Sequence, residues 1–389
     1  MKRRIISLIM ATLLFLSVFS GYNEIFASEE KNNYIVHIDV ESILNGYEQA
    51  LRNEDFDKAI TIAGEALDKF EASLKNVKHY EVYDRIKLLV PSLCIKASQD
   101  TINQIKLMPN VIDVYEDEEF YIQNDMDQNH YKTENAFKPM RIGSNDLIGN
   151  DSVIRSKYDG RGQVLAVIDG NMDPSHEAFY LSDGVKGKLS YEDIEDRITG
   201  RDGKITLEAK GNAIKKDDPW VNKVPFGYDY YNFSTSLNPE KEKKGHGEHV
   251  AGTMGGNRTK AFGEDWQGVA PNAQLLFLRC MHEGTTTPSS YIKASVDAVI
   301  LGASAANLSL GSTKGLPGTV DKLLTNLIDT NYLKNTNFVI AAGNEGEFQG
   351  NMSIDNPDYG TISNPGIATN AITVASLENK TMYAYGLDK

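Results

Sequence analysis

Cysteine, tryptophan and positive charge are scarce in this sequence. The chain has two cysteines and two tryptophans among 389 residues. Cys94 and Cys280 fall in different predicted domains, so we interpret both as small buried apolar side chains and expect no disulfide framework. The 40 Lys and Arg residues are outnumbered by 54 Asp and Glu residues, which gives a net charge of −14 at pH 7. Because nucleic acids are bound by concentrated Lys and Arg, this deficit argues against a nucleic-acid partner.

Long apolar runs are absent except near the N-terminus. Lys2, Arg3 and Arg4 precede an apolar run at 5–19, and small residues follow it around Ala27. This order is typical of a secretory signal peptide, and the run is short for a membrane span. We therefore predict that residues 1–27 are a cleaved signal peptide and that the exported protein has no membrane span.

The part of the chain after the signal peptide has the pattern of a small α+β domain, residues 33–122. Strand-type runs at 34–38 and 111–115 enclose an amphipathic helical stretch at 40–74. Ser98 has the character of an N-cap, which predicts that a further helix begins there. The residues expected on the buried face of that helix are Ile102, Ile105 and Leu107.

The rest of the chain divides into a linker and a larger domain. Residues 123–146 are polar and lack a clear period, so we predict a linker and cleavage region there. From 147 to 389, short Val, Ile, Leu and Ala runs alternate with helical stretches, which is typical of a parallel sheet covered on both faces. The stretch 181–244 has little apolar content and is interpreted as a surface excursion. The predicted buried strands are 164–168, 275–279, 305–310, 338–342 and 371–375.

Asp169, His246 and Asn344 follow one another along the chain, each at the end of an apolar run or the start of a predicted helix. Asp169 falls at the carboxyl end of a strand, where open α/β sheets place their ligands. A carboxylate there can accept an imidazole N–H from His246 and leave the other ring nitrogen free as a general base. The Asn344 amide can donate to an oxyanion. Taken singly, each residue also fits a structural role in a turn or in packing.

A second histidine keeps a metal site open as an alternative. His249 lies three residues after His246, roughly on the same helical face. The zinc-hydrolase pattern spaces its histidines four apart and places a glutamate next to the first, and this segment does neither. We predict no metal ligands and no cofactor. Acidic loops would permit calcium, but no motif supports it.

Four short motifs together resemble the subtilisin-like serine peptidases, or subtilases. They are Val-Ile-Asp-Gly, His-Gly-x-His-Val-Ala-Gly, Asn-x-Ser-Leu-Gly and Ala-Ala-Gly-Asn-x-Gly, in that order. The resemblance implies a three-layer α/β/α fold with a parallel sheet. It implies Asp169 as the orienting acid, His246 as the general base and Asn344 as the oxyanion donor. It also implies that Ser309, Leu310 and Gly311 line the substrate cleft, although a core strand followed by a turn is the alternative for this segment.

Further segments resemble one branch of this family, the lactocepin-type cell-envelope proteinases of Gram-positive bacteria. These segments are 173–179, 223–230 and 363–366. By position and pattern, residues 33–122 resemble the family's propeptide, which assists folding and inhibits the enzyme until it is removed. The resemblance implies a serine endopeptidase exported as a zymogen, either secreted or associated with the cell envelope. Its partners would be polypeptide substrates and its own propeptide.

The nucleophilic serine that the resemblance implies does not occur in its expected context. In the family it stands in Gly-Thr-Ser, well after the asparagine motif. The serines that follow Asn344 are Ser353, Ser363 and Ser376, and none of them comes after Gly-Thr. We therefore expect a truncated subtilase domain without peptidase activity of its own. The alternative is a catalytically dead pseudoprotease that acts as a secreted peptide- or protein-binding module.

Overall fold

The structure is a computed structural model. It describes residues 31–121, 148–150, 152–199, 206–238, 245–259, 267–311, 320–329, 336–343 and 362–375. The predicted signal peptide, the predicted linker and Asn344 lie outside these residues. None of the helices that the structure describes is both long enough and apolar enough to cross a lipid bilayer.

The N-terminal module, residues 32–121, is built on a four-stranded antiparallel sheet in the order β2-β3-β1-β4. Its strands are β1 (Asn32–Ile38), β2 (Tyr80–Ile86), β3 (Ser92–Ala97) and β4 (Val111–Glu116). Its helices are α1 (Val40–Ile43), α2 (Tyr47–Arg52), α3 (Phe56–Ser73) and α4 (Gln99–Ile105), and a 3₁₀ turn covers Leu74–Asn76.

Local sequence signals explain the helices of this module. Asp55 caps α3 by accepting a hydrogen bond from the Lys58 N–H at 3.1 Å. Ser98 caps α4 as predicted, accepting from the Thr101 N–H at 3.3 Å. The prediction that Leu107 lies on the buried face is wrong, because its side chain is 87% exposed. Helix α4 ends at Ile105, so Leu107 falls in the following turn and no longer shares the face of the helix.

The second module is built on a six-stranded sheet in the order β13-β12-β11-β6-β8-β7, and every pair in it is parallel. Its strands are β6 (Val164–Asp169), β7 (Phe226–Asp229), β8 (Gln274–Arg279), β11 (Ala305–Leu308), β12 (Asn337–Ala341) and β13 (Ile372–Val374). Its helices are α5 (Ser152–Lys157), α6 (Tyr191–Thr199), α7 (His246–Gly255), α8 (Pro288–Ile300) and α9 (Val320–Asp329). This architecture agrees with the predicted α/β fold.

Strand β6 separates two cores. Val164, Ala166 and Ile168 pack in the larger core, to which α8 contributes buried residues. Val167 lies in a second core with Ala251 of α7. Since successive side chains of a strand point to opposite faces, α7 and α8 cover opposite faces of the sheet.

Two predictions about this sheet need correction. The stretch 181–244 is more than a surface excursion, because it contains α6 and the fully buried strand β7, which pairs with β8. The run at 371–375 forms β13, yet Ile372 and Val374 are 51% and 50% exposed. Among the described strands, β13 lies at the end of the sheet order and pairs with β12. An apolar run there therefore indicates a strand without indicating burial.

A short third sheet joins the two modules. Strand β5 (Phe120–Tyr121) ends the N-terminal module and pairs with β10 (Thr285–Thr286), which pairs in turn with β9 (Met281–His282). Both pairings are antiparallel, and the order is β5-β10-β9. The last strand of the first module therefore adds to the edge of a hairpin of the second.

Candidate active site

The carboxyl end of β6 presents a buried carboxylate. Asp169 is the last residue of the strand and is fully buried. Its Oδ1 accepts a hydrogen bond from the Gly170 N–H at 2.7 Å. Its backbone carbonyl accepts from the Cys280 N–H at 2.8 Å, which fixes the start of the β9–β10 hairpin beside it. The acid is therefore held by the backbone on both sides.

The first residue of α7 brings an imidazole to this carboxylate. His246 Nδ1 lies 2.7 Å from Asp169 Oδ1, although the two residues are 77 positions apart. The Glu248 N–H donates to the Asn171 carbonyl at 3.1 Å, so the first turn of α7 is fixed to the loop after β6. A side chain at Gly247 would place its Cβ 2.9 Å from the Gly170 carbonyl oxygen, which explains why glycine stands there.

The other predicted site residues lie along the same edge of the sheet. Ser309, Leu310 and Gly311 follow β11, the neighbour of β6, so they leave the sheet at the same end as Asp169. Leu310 is buried, so only the backbone at that position can face a ligand. Ser309 Oγ accepts a hydrogen bond from Asn307 Nδ2 at 3.0 Å. Asn344 itself is outside the described residues, but β12, which precedes it, lies directly beside β11.

Comparison with known proteins identifies the family. The model of the subtilase family, peptidase S8, matches residues 160–386, more than half of the chain. The chain belongs to the subtilase family. The resemblance inferred from the four motifs is therefore confirmed.

Two groups of relatives match this subtilase. It is 34% identical over 237 residues to the PI-type proteinase of Lactococcus lactis subsp. cremoris. This alignment covers 57% of this chain and 12% of the relative. It is 33% identical over 226 residues to the C5a peptidase of Streptococcus pyogenes serotype M1. This alignment covers 56% of this chain and 18% of the relative. The alignments thus span less than a fifth of the length of either relative.

A solved structure resembles both modules of the subtilase chain. The epidermin leader peptide processing serine protease (EpiP) of Staphylococcus aureus has a TM-score of 0.50 and 17% sequence identity to it. The superposition covers 89% of this chain and 69% of the other. At this identity the likeness concerns the fold.

The electrostatics of the pair favour a charged imidazole. The hydrogen bond from His246 to Asp169 raises the pKa of the imidazole, and burial opposes this rise. In the neutral ring, an N–H at Nδ1 that donates to Asp169 leaves Nε2 without a proton. The second carboxylate oxygen, Oδ2, is buried and has no hydrogen-bond partner among the described residues. The arrangement can therefore accept a proton at Nε2 and stabilise the resulting cation.

A buried arginine behind this pair was not predicted from the sequence. Arg279 is the residue opposite Asp169 in the β6–β8 register and is fully buried. Its Nη1 pairs with Asp229 of β7, and its Nε donates to Asn171 Oδ1 at 2.6 Å. The Asn171 carbonyl in turn accepts the hydrogen bond from Glu248 in the first turn of α7. Arg279 therefore supports the position of His246 indirectly, through Asn171. The signal in the sequence was a charged residue at the end of an apolar run, which by itself also fits an exposed strand end.

The metal alternative gains no support from the side chains around the two histidines. Among the residues that the structure describes, no three His, Cys, Asp or Glu side chains form a group able to hold a metal ion. His249 continues α7, where its backbone carbonyl accepts a hydrogen bond from Thr253 Oγ1 at 2.8 Å. The imidazole of His246 is instead bonded to Asp169.

Proposed function

We propose that this subtilase is the acid–histidine part of an exported serine endopeptidase that hydrolyses peptide bonds. A serine oxygen attacks the scissile carbonyl while His246 Nε2 takes the hydroxyl proton, and Asp169 stabilises the imidazolium. Asn344 donates a hydrogen bond to the oxyanion. As the intermediate collapses, the peptide C–N bond breaks and His246 returns the proton to the leaving amine. Water then releases the acyl group by the same route.

One observation carries this proposal: the 2.7 Å contact between His246 Nδ1 and the buried Asp169 Oδ1. A buried carboxylate bonded to Nδ1 selects the tautomer whose Nε2 can act as a base. The family membership and the two groups of relatives, a proteinase and a peptidase by name, support the same chemistry. We infer a secreted or cell-envelope protein from the predicted signal peptide and from the resemblance of the sequence to cell-envelope proteinases.

The test is peptide hydrolysis by the secreted product of this gene, purified from the organism that makes it. We expect hydrolysis that a serine-directed fluorophosphonate abolishes, and a fall in kcat of about 10⁶-fold in His246→Ala. His249→Ala, a matched change on the same helix, should keep its activity. Inhibition by a chelator, together with loss of activity in His249→Ala, would support the metal alternative.

The 389 residues contain no Gly-Thr-Ser sequence. For a polypeptide of these residues alone we expect no measurable hydrolysis, because none of its serines after Asn344 stands in the Gly-Thr-Ser context of the family's nucleophile. Fluorophosphonate-sensitive cleavage by this polypeptide would contradict that expectation. The second candidate is a binding module without catalysis. It is favoured by the pairing of β5 with the edge of β10, because this pairing binds a peptide segment and requires no nucleophile.

We infer further that the N-terminal module is an inhibitory propeptide. Its contacts with the second module include side-chain contacts to α8 and the strand pairing with β10. Asp117, buried, accepts from the Ser289 N–H at 2.8 Å at the start of α8. Asp84 forms an ion pair with Lys293 in the middle of that helix. Because β5 fills the edge of β10, in the hairpin that begins at Asp169's backbone partner Cys280, the module would compete with a substrate strand for that edge.

Docking of this module should depend on the protonation of Glu208. Its Oε1 accepts from the Lys87 and Leu88 N–H groups at 2.8 and 3.4 Å. Burial, reinforced by the charge of Asp297, raises the pKa of Glu208 from 4.5 to about 7. A carboxyl whose pKa is raised in the folded state stabilises it fully below pH 4.5, and this contribution is lost as the pH rises to about 7. The docked state should therefore weaken over that window.

Glu208→Gln tests this pH dependence, because the amide keeps an oxygen for both N–H groups but cannot titrate. We expect the parent chain to lose stability between pH 4.5 and 7 in urea unfolding, and the variant to show a flatter profile. Equal slopes in the two proteins would contradict a role for Glu208.

A further inference from the structure

The segment Glu119–Tyr121 lies against the hairpin next to the Asp–His pair. Phe120 is opposite Thr286 and Tyr121 is opposite Thr285 in the antiparallel pairing of β5 with β10. The same hairpin begins at Cys280, whose N–H is bonded to the Asp169 carbonyl. A peptide that takes the place of β5 therefore lies along the outer edge of a hairpin whose first residue is hydrogen-bonded to the Asp169 backbone.

The aromatic side chain of this segment packs on an aromatic residue of α8. The Phe120 and Tyr291 ring centroids are 6.4 Å apart, with an interplanar angle of 73°, which is the favourable edge-to-face arrangement. Tyr291 is almost fully buried and belongs to the main core. Phe120 is partly buried and packs against that core. The edge of β10 thus offers a rigid aromatic wall for one large side chain.

The preceding residue meets a hydrogen-bond donor. Tyr231 Oη donates to Glu119 Oε1 at 2.6 Å. Burial and the neighbouring Glu119 raise the pKa of Tyr231 to about 12, so the phenol keeps its proton and stays a donor at neutral pH. The Tyr231 ring lies tilted against His282, with centroids 5.9 Å apart, and Arg279 Nη2 lies 3.2 Å from His282 Nδ1. The donor is therefore supported by the buried arginine.

We propose that this edge selects peptides in which an acidic residue is directly followed by a large aromatic one, with Tyr231 and Tyr291 as the specificity-determining residues. Glu119–Phe120 is the copy of that sequence that lies at this edge within the chain. This inference rests on the proposed peptidase function, since it names the substrate class of the same cleft. Phe120 is the stronger anchor, because buried aromatic contacts outweigh an exposed hydrogen bond.

Hydrogen exchange in the 389-residue chain tests the contact within the chain. We expect Phe120→Ala to lower the protection of the β5 and β10 amides by about tenfold. Glu119→Gln should lower it by about threefold. Glu118→Gln, the matched change at the adjacent exposed carboxylate, and Phe120→Tyr should leave it unchanged. The β1 and β3 amides report global unfolding, and unchanged protection in Phe120→Ala would overturn the proposal.

Peptide binding tests the selectivity directly. The probes are labelled forms of Asp-Glu-Glu-Phe-Tyr-Ile, in which the central Glu-Phe pair is kept, changed to Gln-Phe, changed to Glu-Ala, or reversed to Phe-Glu. Each peptide is added to the chain that carries Glu119→Gln and Phe120→Ala, which weaken its own β5 segment. The Glu-Phe peptide should bind about tenfold tighter than Glu-Ala and about threefold tighter than Gln-Phe. Tyr231→Phe should remove only the difference between the Glu-Phe and Gln-Phe peptides. Equal binding of the swapped peptide, or no binding of the Glu-Phe peptide, would overturn the proposal.

Failure here is distinguishable from failure of the peptidase proposal. Strand pairing at β10 does not require the serine, so peptides can bind whether or not the protein hydrolyses them. Conversely, fluorophosphonate-sensitive hydrolysis without the Glu-Phe preference would leave the peptidase standing and refute this inference alone.

Discussion

Asp169→Asn is expected to lower the pKa of His246 and to reduce kcat of the proposed peptidase by about 10⁴-fold. The hydrogen bond to Asp169 is the main cause of the raised pKa of this imidazole. An amide carries no charge, and it can turn its NH₂ group toward Nδ1 and so select the wrong tautomer. The imidazolium that forms during catalysis would lose its counter-charge.

An NMR titration of His246 in the 389-residue chain measures the first effect without requiring catalysis. The matched control is Asp173→Asn, which makes the same change in the loop after β6, at a side chain that accepts from Ser175. An unchanged His246 pKa in Asp169→Asn would show that the pair does not set the charge of the imidazole.

The same shift gives a pH dependence of stability. Because the folded-state pKa of His246 is raised above 6.5, its contribution to the free energy of unfolding is complete below pH 6.5. This contribution is lost as the pH rises through the raised pKa. The contribution should vanish in Asp169→Asn. Unfolding experiments on the two proteins above pH 6.5 therefore provide an independent check of the NMR result.

Arg279→Leu is expected to cost about 3–5 kcal/mol of unfolding free energy, because it leaves the buried Asp229 carboxylate without its cation. The control is Arg161→Leu, which removes a partner from Asp159 at a side chain that is 67% exposed. A surface pair of this kind contributes about 0–1 kcal/mol. Urea unfolding monitored by circular dichroism measures both values, and similar losses would contradict a special role for Arg279.

A double variant separates the two causes of that loss. Arg279→Leu combined with Asp229→Leu removes the unpaired charge and should recover part of the stability. Recovery should be incomplete, since Asp229 Oδ1 also accepts from the Tyr231 and Asn232 N–H groups. No recovery at all would place the cost in lost packing around Arg279.

The sequence predicted the pair and the central strands because these depend on local patterns. Asp169 ends an uninterrupted apolar run, and His246 begins a helix between two glycines. Both can therefore be recognised from the local sequence, without knowledge of their partners in the fold. Strand β7 has only four residues in a polar stretch, and its burial depends on pairing with β8, which lies about 50 residues further on. Arg279 was missed for the same reason, since its partners come from β7 and the loop after β6.

The edge of β10 has a consequence for the behaviour of the protein in solution. While β5 is in place, the backbone groups along that edge are paired within one molecule. Removal of the N-terminal module leaves them open, and unpaired strand edges promote association between chains. The edge is two residues long, which limits this hazard. Self-association of a protein without this module should therefore be weak, and any peptide that fills the edge should suppress it.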